Sequence, residues 1–294
     1  MLHPISPEGI TAEPPLPETL AGAMETGGIL RAMCIKCDER HNLHLDLGTQ
    51  KGIILREEAA LGIAENRARE ISILSRVGKP VSFQVLGIRR DGVWLCSRRA
   101  AQVEARSYFL SVLKPGDILP AVVQNASHLG VFCDIGGGFA ALMRLQRCCI
   151  SRLEDASDLF SPGQTVRAAV LSVDDRLGLV NLTGRELLGT WEENAELFRQ
   201  GQTIPGIVRS VMPYGVFVEL TPNLSGLAEP TPGIQPGDAV SVFLRALLPE
   251  KHKIKLNILE KLPAVQKSRL EYFITSGHIR RWEYYPGSKA VTYF

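Results

Sequence analysis

The sequence predicts a mainly β protein of three tandem small barrels joined by short amphipathic helices. One strand pattern occurs twice, 85 positions apart, and a fainter third copy precedes both. Short stretches of alternating apolar residues also end at turns rich in Gly and Pro, as strands of a barrel do. Strands do not alternate with long helices, so we expect barrels rather than a parallel sheet.

The clearest repeat joins residues 116–135 to residues 201–220. Six of the twenty aligned positions are identical, and three of them form a shared Gly-Val-Phe. A second block pairs "FSPGQTVRAAVL" (160–171) with "IQPGDAVSVFLR" (234–245) at an offset of 74, so the later copy lacks 11 residues between the blocks. Repeats of this length indicate one structural unit per copy.

The third copy lies upstream. "HLDLGTQKGII" (44–54) parallels "FCDIGGGFAAL" (132–142), which sets His44 opposite Phe132 and Asp46 opposite Asp134. The predicted organisation is a flexible segment 1–26, a degenerate barrel 27–103, a second barrel 104–189 with a helical linker at 104–115, a third barrel 190–262 with a helical linker at 190–200, and a C-terminal extension 263–294.

The N-terminal segment differs from the barrels in composition. Residues 1–26 are rich in Pro, carry four Glu and neither Lys nor Arg, and are therefore expected to stay flexible. They lack a basic start and an apolar stretch, so we expect no signal peptide. In the linker before the third barrel, Thr190 and Glu193 form the spacing of a helix capping box, and Gly201 ends the helical pattern.

Composition restricts the class of protein. The chain has 294 residues, 45% of them hydrophobic, and no apolar run long enough for a membrane span is present. Six cysteines are too few for a disulfide scaffold of this size, and we expect a reduced cytoplasmic setting. Cys34 and Cys37 form a lone CxxC. We favour their interpretation as two small apolar residues near a strand end, and a zinc site is the alternative.

Motifs of the common enzyme classes do not occur. The sequence contains no P-loop, no G-x-S-x-G, no H-E-x-x-H and no paired CxxC. We therefore expect no catalytic activity, no cofactor or metal, and no small-molecule substrate.

The order of motifs in each copy resembles the S1-type RNA-binding domain, the OB-fold repeat of the ribosomal protein S1 family. "GDILPAVVQNASHLGVFCDIGGGFAALM" and "GQTIPGIVRSVMPYGVFVELTPNLSGLAE" carry the resemblance, which covers about residues 27–262. It implies five-stranded OB barrels and a protein similar to short bacterial S1-like proteins without a catalytic domain.

The resemblance also implies a binding face in the third copy. The two aromatics that flank the glycine of the second strand are Tyr214 and Phe217. The histidine of the family pattern falls near Glu229, and its late arginine falls near Lys253.

The other copies depart from the family pattern. In the second copy Leu129 replaces the first aromatic, with His128 beside it, and Phe132 keeps the second. Arg144 stands at the histidine position, Asp174 fits the acidic position, and Leu179 replaces the late arginine. In the first copy His41 and His44 occupy the aromatic positions.

The residue types themselves suit single-stranded RNA. A base stacked on an aromatic ring gains about 1–3 kcal/mol whatever its identity. Gly215 would let the strand bend so that Tyr214 and Phe217 share a face. Lys251, Lys253 and Lys255 are expected on one strand face for phosphates, while the residues between them point to the core.

Each of these features has a second interpretation. Phe217 could instead belong to the barrel core, and the lysines could be an ordinary solvated strand face. The aromatic tail could contact RNA through Arg280, Arg281, Trp282 and Tyr284, or it could form a β-hairpin that turns at 285–288 and packs on a barrel. We favour the hairpin, because so much aromatic surface is rarely left exposed.

The expected function is non-catalytic RNA binding in translation, on single-stranded RNA and mRNA, with the 30S ribosomal subunit as a further partner and no membrane association. The alternative is a scaffold whose degenerate barrels dock onto the ribosome or an RNA-processing complex with little RNA affinity. The candidate RNA-binding residues are Tyr214, Phe217, Lys251, Lys253, Lys255, His128, Phe132, Arg144 and Asp174.

Overall fold

Three closed five-stranded barrels follow one another along the chain in a computed structural model that describes residues 5–9, 14–263 and 268–294. The predicted fold class, a mainly β protein of three tandem OB barrels, is confirmed. Parts of the predicted flexible segment 1–26 and of the extension 263–294 lie outside the described residues.

The first barrel closes in the strand order β1-β2-β3-β5-β4. Its β3 and β5 run parallel, and the remaining pairs are antiparallel. Strict alternation places Leu43, Leu45 and Leu47 of β2 in the core. The strands are β1 (Leu30–Cys37), β2 (Leu43–Leu47), β3 (Gln50–Ile54), β4 (Pro80–Ile88) and β5 (Trp94–Ser97).

The second barrel has the same connectivity, with parallel pairing between its third and fifth strands. Val131 and Cys133 are fully buried, while Phe132 between them is partly exposed. The strands are β6 (Ile118–Ser127), β7 (Gly130–Asp134), β8 (Ala140–Arg144), β9 (Thr165–Asp174) and β10 (Leu179–Thr183).

The third barrel repeats this topology a second time. Val216 and Val218 are fully buried, and Phe217 between them is partly exposed. The strands are β11 (Thr203–Met212), β12 (Gly215–Thr221), β13 (Leu224–Ala228), β14 (Ala239–Leu248) and β15 (Lys253–Lys261).

Strand register makes the three barrels directly comparable. The first strand of each barrel carries a β-bulge, and the residue that follows the bulge pairs with His44, Phe132 or Phe217. The same register gives Asp46 and Asp134 equivalent positions. The sequence alignment of the degenerate first copy with the second is therefore correct at this strand.

Two of the four α-helices in the described residues lie between barrels. The side chain of Ser97 caps the longest one by accepting a hydrogen bond from the backbone N–H of Ala100, and Phe109 of this helix enters the core of the second barrel. The α-helices are α1 (Pro17–Thr26), α2 (Ile71–Leu74), α3 (Arg98–Val112) and α4 (Trp191–Ala195).

The capping box of α4 is present, with Thr190 and Glu193 bonding reciprocally. The helix is shorter than the predicted linker 190–200, because it ends at Ala195 and the chain continues in turns. Trp191 and Ala195 are buried on one side of it.

The N-terminal segment is more ordered than its composition indicates. Pro17 starts α1, Gly27 ends it in the left-handed conformation, and Leu20 lies fully buried in the core of the first barrel. Glu8 is also buried, between the first and second barrels. The difference arises because residues far along the chain cover Leu20 and neutralise Glu8, which local composition does not record.

The C-terminal extension forms a hairpin of β16 (Arg281–Glu283) and β17 (Val291–Tyr293) that turns at 285–288. Trp282 and Tyr284 join the core of the third barrel. The favoured hairpin interpretation of the tail is therefore correct. No helix in the described ranges combines the length and apolar character that a bilayer crossing requires.

Candidate nucleic-acid interface

Tyr214 and Phe217 meet on the surface of the third barrel. Their ring centroids lie 6.2 Å apart and their planes are perpendicular. Tyr214 is 65% exposed, so its ring face is open to a ligand. The rings share a face because Tyr214 lies in the turn before β12, not because β12 itself bends.

Gly215 separates the two aromatics and packs tightly against the neighbouring strand. A Cβ at this position would lie 2.6 Å from the carbonyl oxygen of Ala228, closer than a side chain can approach. Glycine is needed here for the distance between β12 and β13 rather than for the bend that the sequence suggested. The close packing of β12 against β13 therefore fixes the position of the aromatic pair on the barrel.

A row of side chains crosses three strands of this barrel. Phe217 of β12 pairs with Leu227 of β13, and Leu227 pairs with Lys255 of β15. Adjacent strands lie about 4.8 Å apart, so the ring and the ammonium group belong to one surface. We call this surface the third-barrel face: Tyr214, Phe217, Leu227, Lys253 and Lys255.

The lysines follow the predicted alternation in part. Lys253 and Lys255 are exposed on β15, and Ile254 between them is buried. Lys251 does not share this strand face, because it belongs to the 3-10 turn at Pro249–Lys251 before β15 begins. Its side chain is exposed beyond the end of the strand.

An ion pair lies at the rim of the third-barrel face. Arg245 donates to Glu229, with an N–O distance of 2.9 Å, and both side chains are exposed. Glu229 directly follows Ala228, the register partner of Val216, near the position where the family pattern predicts a histidine. This pair adds no net charge to the face.

The equivalent face of the second barrel is largely aliphatic. Phe132 pairs with Leu142, and Leu142 pairs with Asn181, so an amide stands where the third barrel has Lys255. Leu129 is 58% exposed in the position of Tyr214. Arg144 is exposed at the end of β8 and is the cation of this face.

His128 and Asp174 lie outside this row of side chains. His128 is exposed in the turn before β7, near Asp155. Hydrogen bonds from Ser157, and then the charge of His128, hold the pKa of Asp155 below its usual value. Asp174 accepts a hydrogen bond from the backbone N–H of Leu177 at 2.9 Å and so stabilises the turn between β9 and β10.

In the first barrel, carboxylates contact the two histidines that occupy the aromatic positions. The Nε2 atom of His44 lies 3.1 Å from Asp38, and the Nδ1 atom of His41 lies 2.9 Å from Glu70. Hydrogen bonds from Asn42, and then from His44, hold the pKa of Asp38 well below its usual range. This face offers paired imidazoles instead of open rings.

A buried ion pair lies two residues along β12 from Phe217, on the same side of the strand. Arg209 is the bulged residue of β11, and it donates two hydrogen bonds to the buried carboxylate of Glu219, at 2.7 and 3.1 Å. Burial opposes its charge, but Glu219 raises the pKa of Arg209. The pair fixes the bulge that precedes Ser210, the register partner of Phe217.

Sequence reasoning missed Leu227 as part of the face. The signal was present, because Phe132 and Leu142 have the same ten-residue spacing as Phe217 and Leu227. It missed Arg209 because the bulge that buries this residue has no mark in the local sequence.

The lone CxxC lies in the first barrel. Cys34 is buried in β1 and Cys37 is partly buried at its end, as expected for small residues near a strand end. Burial raises the pKa of the Cys34 thiol to about 11. Among the described residues, no three His, Cys, Asp or Glu side chains are grouped to hold a metal ion.

The comparisons with known proteins agree with this architecture. Residues 113–183 match the family profile described as the RRP5 S1 domain. The chain is 32% identical over 156 residues to the small ribosomal subunit protein bS1 homolog of Bacillus subtilis, an alignment that covers 51% of this chain and 41% of that protein. It is 28% identical over 185 residues to bS1 of Staphylococcus saprophyticus, covering 58% and 47%.

One solved structure aligns with much of the chain at a low TM-score. It is a multidomain protein with nucleic acid binding domains from Streptococcus pneumoniae, with 15% identity, a TM-score of 0.28, and coverage of 79% of this chain and 73% of that one.

The barrels define the class: this is a protein of three tandem OB-fold barrels, and the residues that match an S1 domain, 113–183, include all five strands of the second barrel. It resembles the bacterial ribosomal protein S1, and it spans less than half the length of the two bS1 relatives.

Proposed function

We propose that this protein binds single-stranded RNA through the third-barrel face and acts in translation. The RNA is mRNA, and the site of action is the small ribosomal subunit in the cytoplasm. The protein contributes binding and no catalysis.

The observation that carries the proposal is the pair of rings beside two lysines. Tyr214 and Phe217 stand at 6.2 Å on the face that also carries Lys253 and Lys255. A base stacks on a ring plane whatever its identity, and a phosphate accepts contact from an ammonium group. We therefore expect binding that tolerates many RNA sequences and weakens as salt increases.

The setting in translation rests on the relatives. Two proteins similar to this chain are small ribosomal subunit proteins by name. Their partners extend to this chain as a proposal, since it covers less than half of their length.

The three barrels contribute unequally. The two positions that the family pattern gives to aromatics hold two rings in the third barrel and one ring in the second. In the first barrel they hold two histidines, each paired with a carboxylate. Linked weak sites raise the effective concentration of RNA for one another, so the second barrel can add affinity without a strong site of its own.

A second candidate function has its own support. The face of the second barrel exposes Leu129 and Leu179. Where the third barrel has Lys255 to contact a phosphate, the second barrel has the uncharged Asn181. Aliphatic side chains suit a protein surface better than a nucleotide. In this alternative the degenerate barrels dock on a protein of the ribosome or of an RNA-processing complex.

The first experiment is a fluorescence titration of unstructured RNA with the wild-type protein and with Tyr214→Ala plus Phe217→Ala. Loss of two stacked bases should weaken binding at least about 30-fold. The matched control is Phe132→Ala in the second barrel, for which we expect a smaller loss. Thermal unfolding of all three proteins checks that the barrels stay folded.

The outcomes separate the two candidates. Equal affinity of the double variant and the wild type would exclude stacking on the third-barrel face. Weak RNA binding by the wild type, together with full co-sedimentation of the double variant with 30S particles, would favour the scaffold.

A further inference from the structure

The C-terminal hairpin has two faces with different chemistry. Side chains alternate along β16 and β17, so Trp282 and Thr292 point one way while Arg281 and Tyr293 point the other. The two interpretations of the aromatic tail, a packed hairpin and an RNA contact, therefore apply to opposite sides of one element.

The inner face fastens the hairpin to two barrels. Trp282 is 6% exposed, and Thr292 donates to Glu186 of the second barrel's end at 2.6 Å. Tyr284 donates from its hydroxyl to the carbonyl of Asn223 in the third barrel. These contacts hold the hairpin rigidly, so its outer side chains are presented with little ordering cost on binding.

The outer face presents a ring and guanidinium groups to solvent. Tyr293 is 73% exposed, and the guanidinium carbon of Arg281 lies 5.7 Å from its ring centroid. Arg280, the residue before β16, is also exposed. Glu283 bonds Arg281 at the edge of the same face.

Two further cations lie on the inner side of the hairpin, where both donate to Thr292. Arg147 and Arg185 both lie against one buried carboxylate, Glu186, at 3.7 and 3.1 Å. Two cations that share one anion leave a positive charge between the second barrel and the hairpin. Arg147 keeps 28% of its side chain exposed.

The hairpin also contacts the turn that leads into the lysine strand. Tyr285 stacks on His252, with centroids 4.1 Å apart and planes 12° from parallel. His252 lies between Lys251 and Lys253 in the chain. The hairpin therefore adjoins the end of the third-barrel face that lies away from Tyr214.

We propose that the outer face of the hairpin, formed by Arg281 and Tyr293, together with the exposed Arg280 just before β16, is a second contact for single-stranded RNA. It receives the part of the strand that runs past Lys253 and Lys251. A base stacks on the open side of the Tyr293 ring, and the guanidinium groups contact phosphates. This inference rests on the proposed function and extends it to a site outside the three barrels.

RNA fits this chemistry better than a protein partner does. An exposed ring next to guanidinium groups is what single-stranded nucleic acid requires, and stacking accepts any base. A protein contact would need a wider apolar area than one ring supplies.

The test compares two lengths of labelled oligouridine, one of about 8 nucleotides, the span of a single OB barrel, and one roughly three times longer. Tyr293→Ala should leave affinity for the short RNA unchanged and weaken the long RNA by about fivefold or more. Tyr293→Phe keeps the ring and should bind like the wild type. Arg280→Gln should make the salt dependence for the long RNA shallower by about 0.7 in log–log slope.

Two results would overturn the inference. One is equal affinity of Tyr293→Ala and the wild type for the long RNA. The other is unchanged RNA affinity with loss of co-sedimentation with 30S particles, which would assign the face to a protein.

The proposed function has a separate readout. Short-RNA binding that is lost in Tyr214→Ala plus Phe217→Ala supports the third-barrel face whatever Tyr293 does. Short-RNA binding that survives in that double variant contradicts only the proposal that RNA binds the third-barrel face, and not the inference about the hairpin.

Discussion

Gly215 and Gly130 hold the same position in two barrels, and a neighbouring backbone fixes the space at each. A Cβ on Gly215 would lie 2.6 Å from the carbonyl oxygen of Ala228, and one on Gly130 would lie 2.1 Å from that of Met143. A backbone carbonyl cannot move aside as a flexible side chain can. The repeated Gly-Val-Phe thus combines a close approach of two strands with a ring on the outer face.

Gly215→Ala should lower the free energy of unfolding by about 1–3 kcal/mol, because β12 and β13 must separate to admit the methyl group. Urea denaturation followed by tryptophan fluorescence measures this. Gly87→Ala in β4 is the control, since a Cβ there meets nothing within 4 Å, and its effect should stay within about 0.5 kcal/mol. Equal effects at the two sites would contradict this account of the glycine.

Single residues were predictable where the repeat itself marked them. Phe217 belongs to the duplicated Gly-Val-Phe, and Tyr214 directly precedes it at the position of Leu129 in the other copy. The structure brings the two rings together. The prediction wrongly placed Lys251 on the strand face of Lys253 and Lys255. His252 has a positive φ of 48°, so the turn ends one residue later than strand alternation implies. Glu70, the partner of His41, lies in a different loop, and no local pattern joins the two.

At the scale of elements, β15 carries the exposed charge of the third-barrel face. Lys253 and Lys255 alternate with the buried Ile254 and Leu256, so their ammonium groups share one side of the strand. Lys255 neighbours Leu227 by register and therefore lies nearest the aromatic pair.

Lys253→Gln plus Lys255→Gln should weaken RNA binding and reduce its salt dependence. Each lost phosphate contact on a single strand lowers the slope of log affinity against log salt by about 0.7, so we expect a change of about 1.4. Lys114→Gln, on the linker after α3, removes an exposed charge away from this face and should leave the slope unchanged. An unaltered slope in the double variant would show that these lysines are only a solvated strand face.

Elements were predictable in proportion to how locally they are encoded. The offsets of 85 and 74 between copies match β6 with β11 and β9 with β14, because each strand carries its own alternation and turn. The hairpin was predictable from Pro and Gly at its turn. Its division into a packed side and an exposed side was not, since that depends on Glu186 and Asn223 in other elements.

At the scale of the molecule, two braces join the barrels. The carboxylate of Glu8 accepts two hydrogen bonds from Arg98 at 2.8 Å each, and its backbone N–H donates to Asp134 of the second barrel at 2.7 Å. The C-terminal hairpin links the second and third barrels in the same way. The barrels are therefore held together by more than their linkers.

These braces are the part of the architecture that sequence reasoning could not reach. Glu8 and Asp134 are separated by 126 positions, and Glu8 lies in a segment whose composition indicates flexibility. Burial of a carboxylate follows from its partners, here Arg98 and Arg76, and not from the residues around it in the chain.

Because Glu8 joins the first two barrels, its substitution should lower the free energy of unfolding. Glu8→Gln leaves the buried guanidinium of Arg98 without a counter-charge and should cost about 3–5 kcal/mol of unfolding free energy. Urea denaturation at neutral pH measures the loss. Glu18→Gln, on the exposed side of α1, is the control and should change little. Comparable losses from both variants would contradict a specific role for Glu8.

The same brace predicts how stability changes with pH. Burial, and then the charge of Glu8, raise the pKa of Asp134 from 3.8 to about 8 in spite of hydrogen bonds from Glu8 and Gly136 and the charge of Arg98. The folded protein therefore binds a proton that the unfolded chain releases, and stability should fall as pH rises through this interval. Arg98 and Arg76 hold the pKa of Glu8 below its usual value against burial, so its contribution is lost only in acid, below about pH 4.5. Asp134→Asn removes the first group, and urea denaturation from pH 5 to 8 should then show a flatter profile than the wild type. Identical slopes in the two proteins would mean that Asp134 is already ionised in the fold.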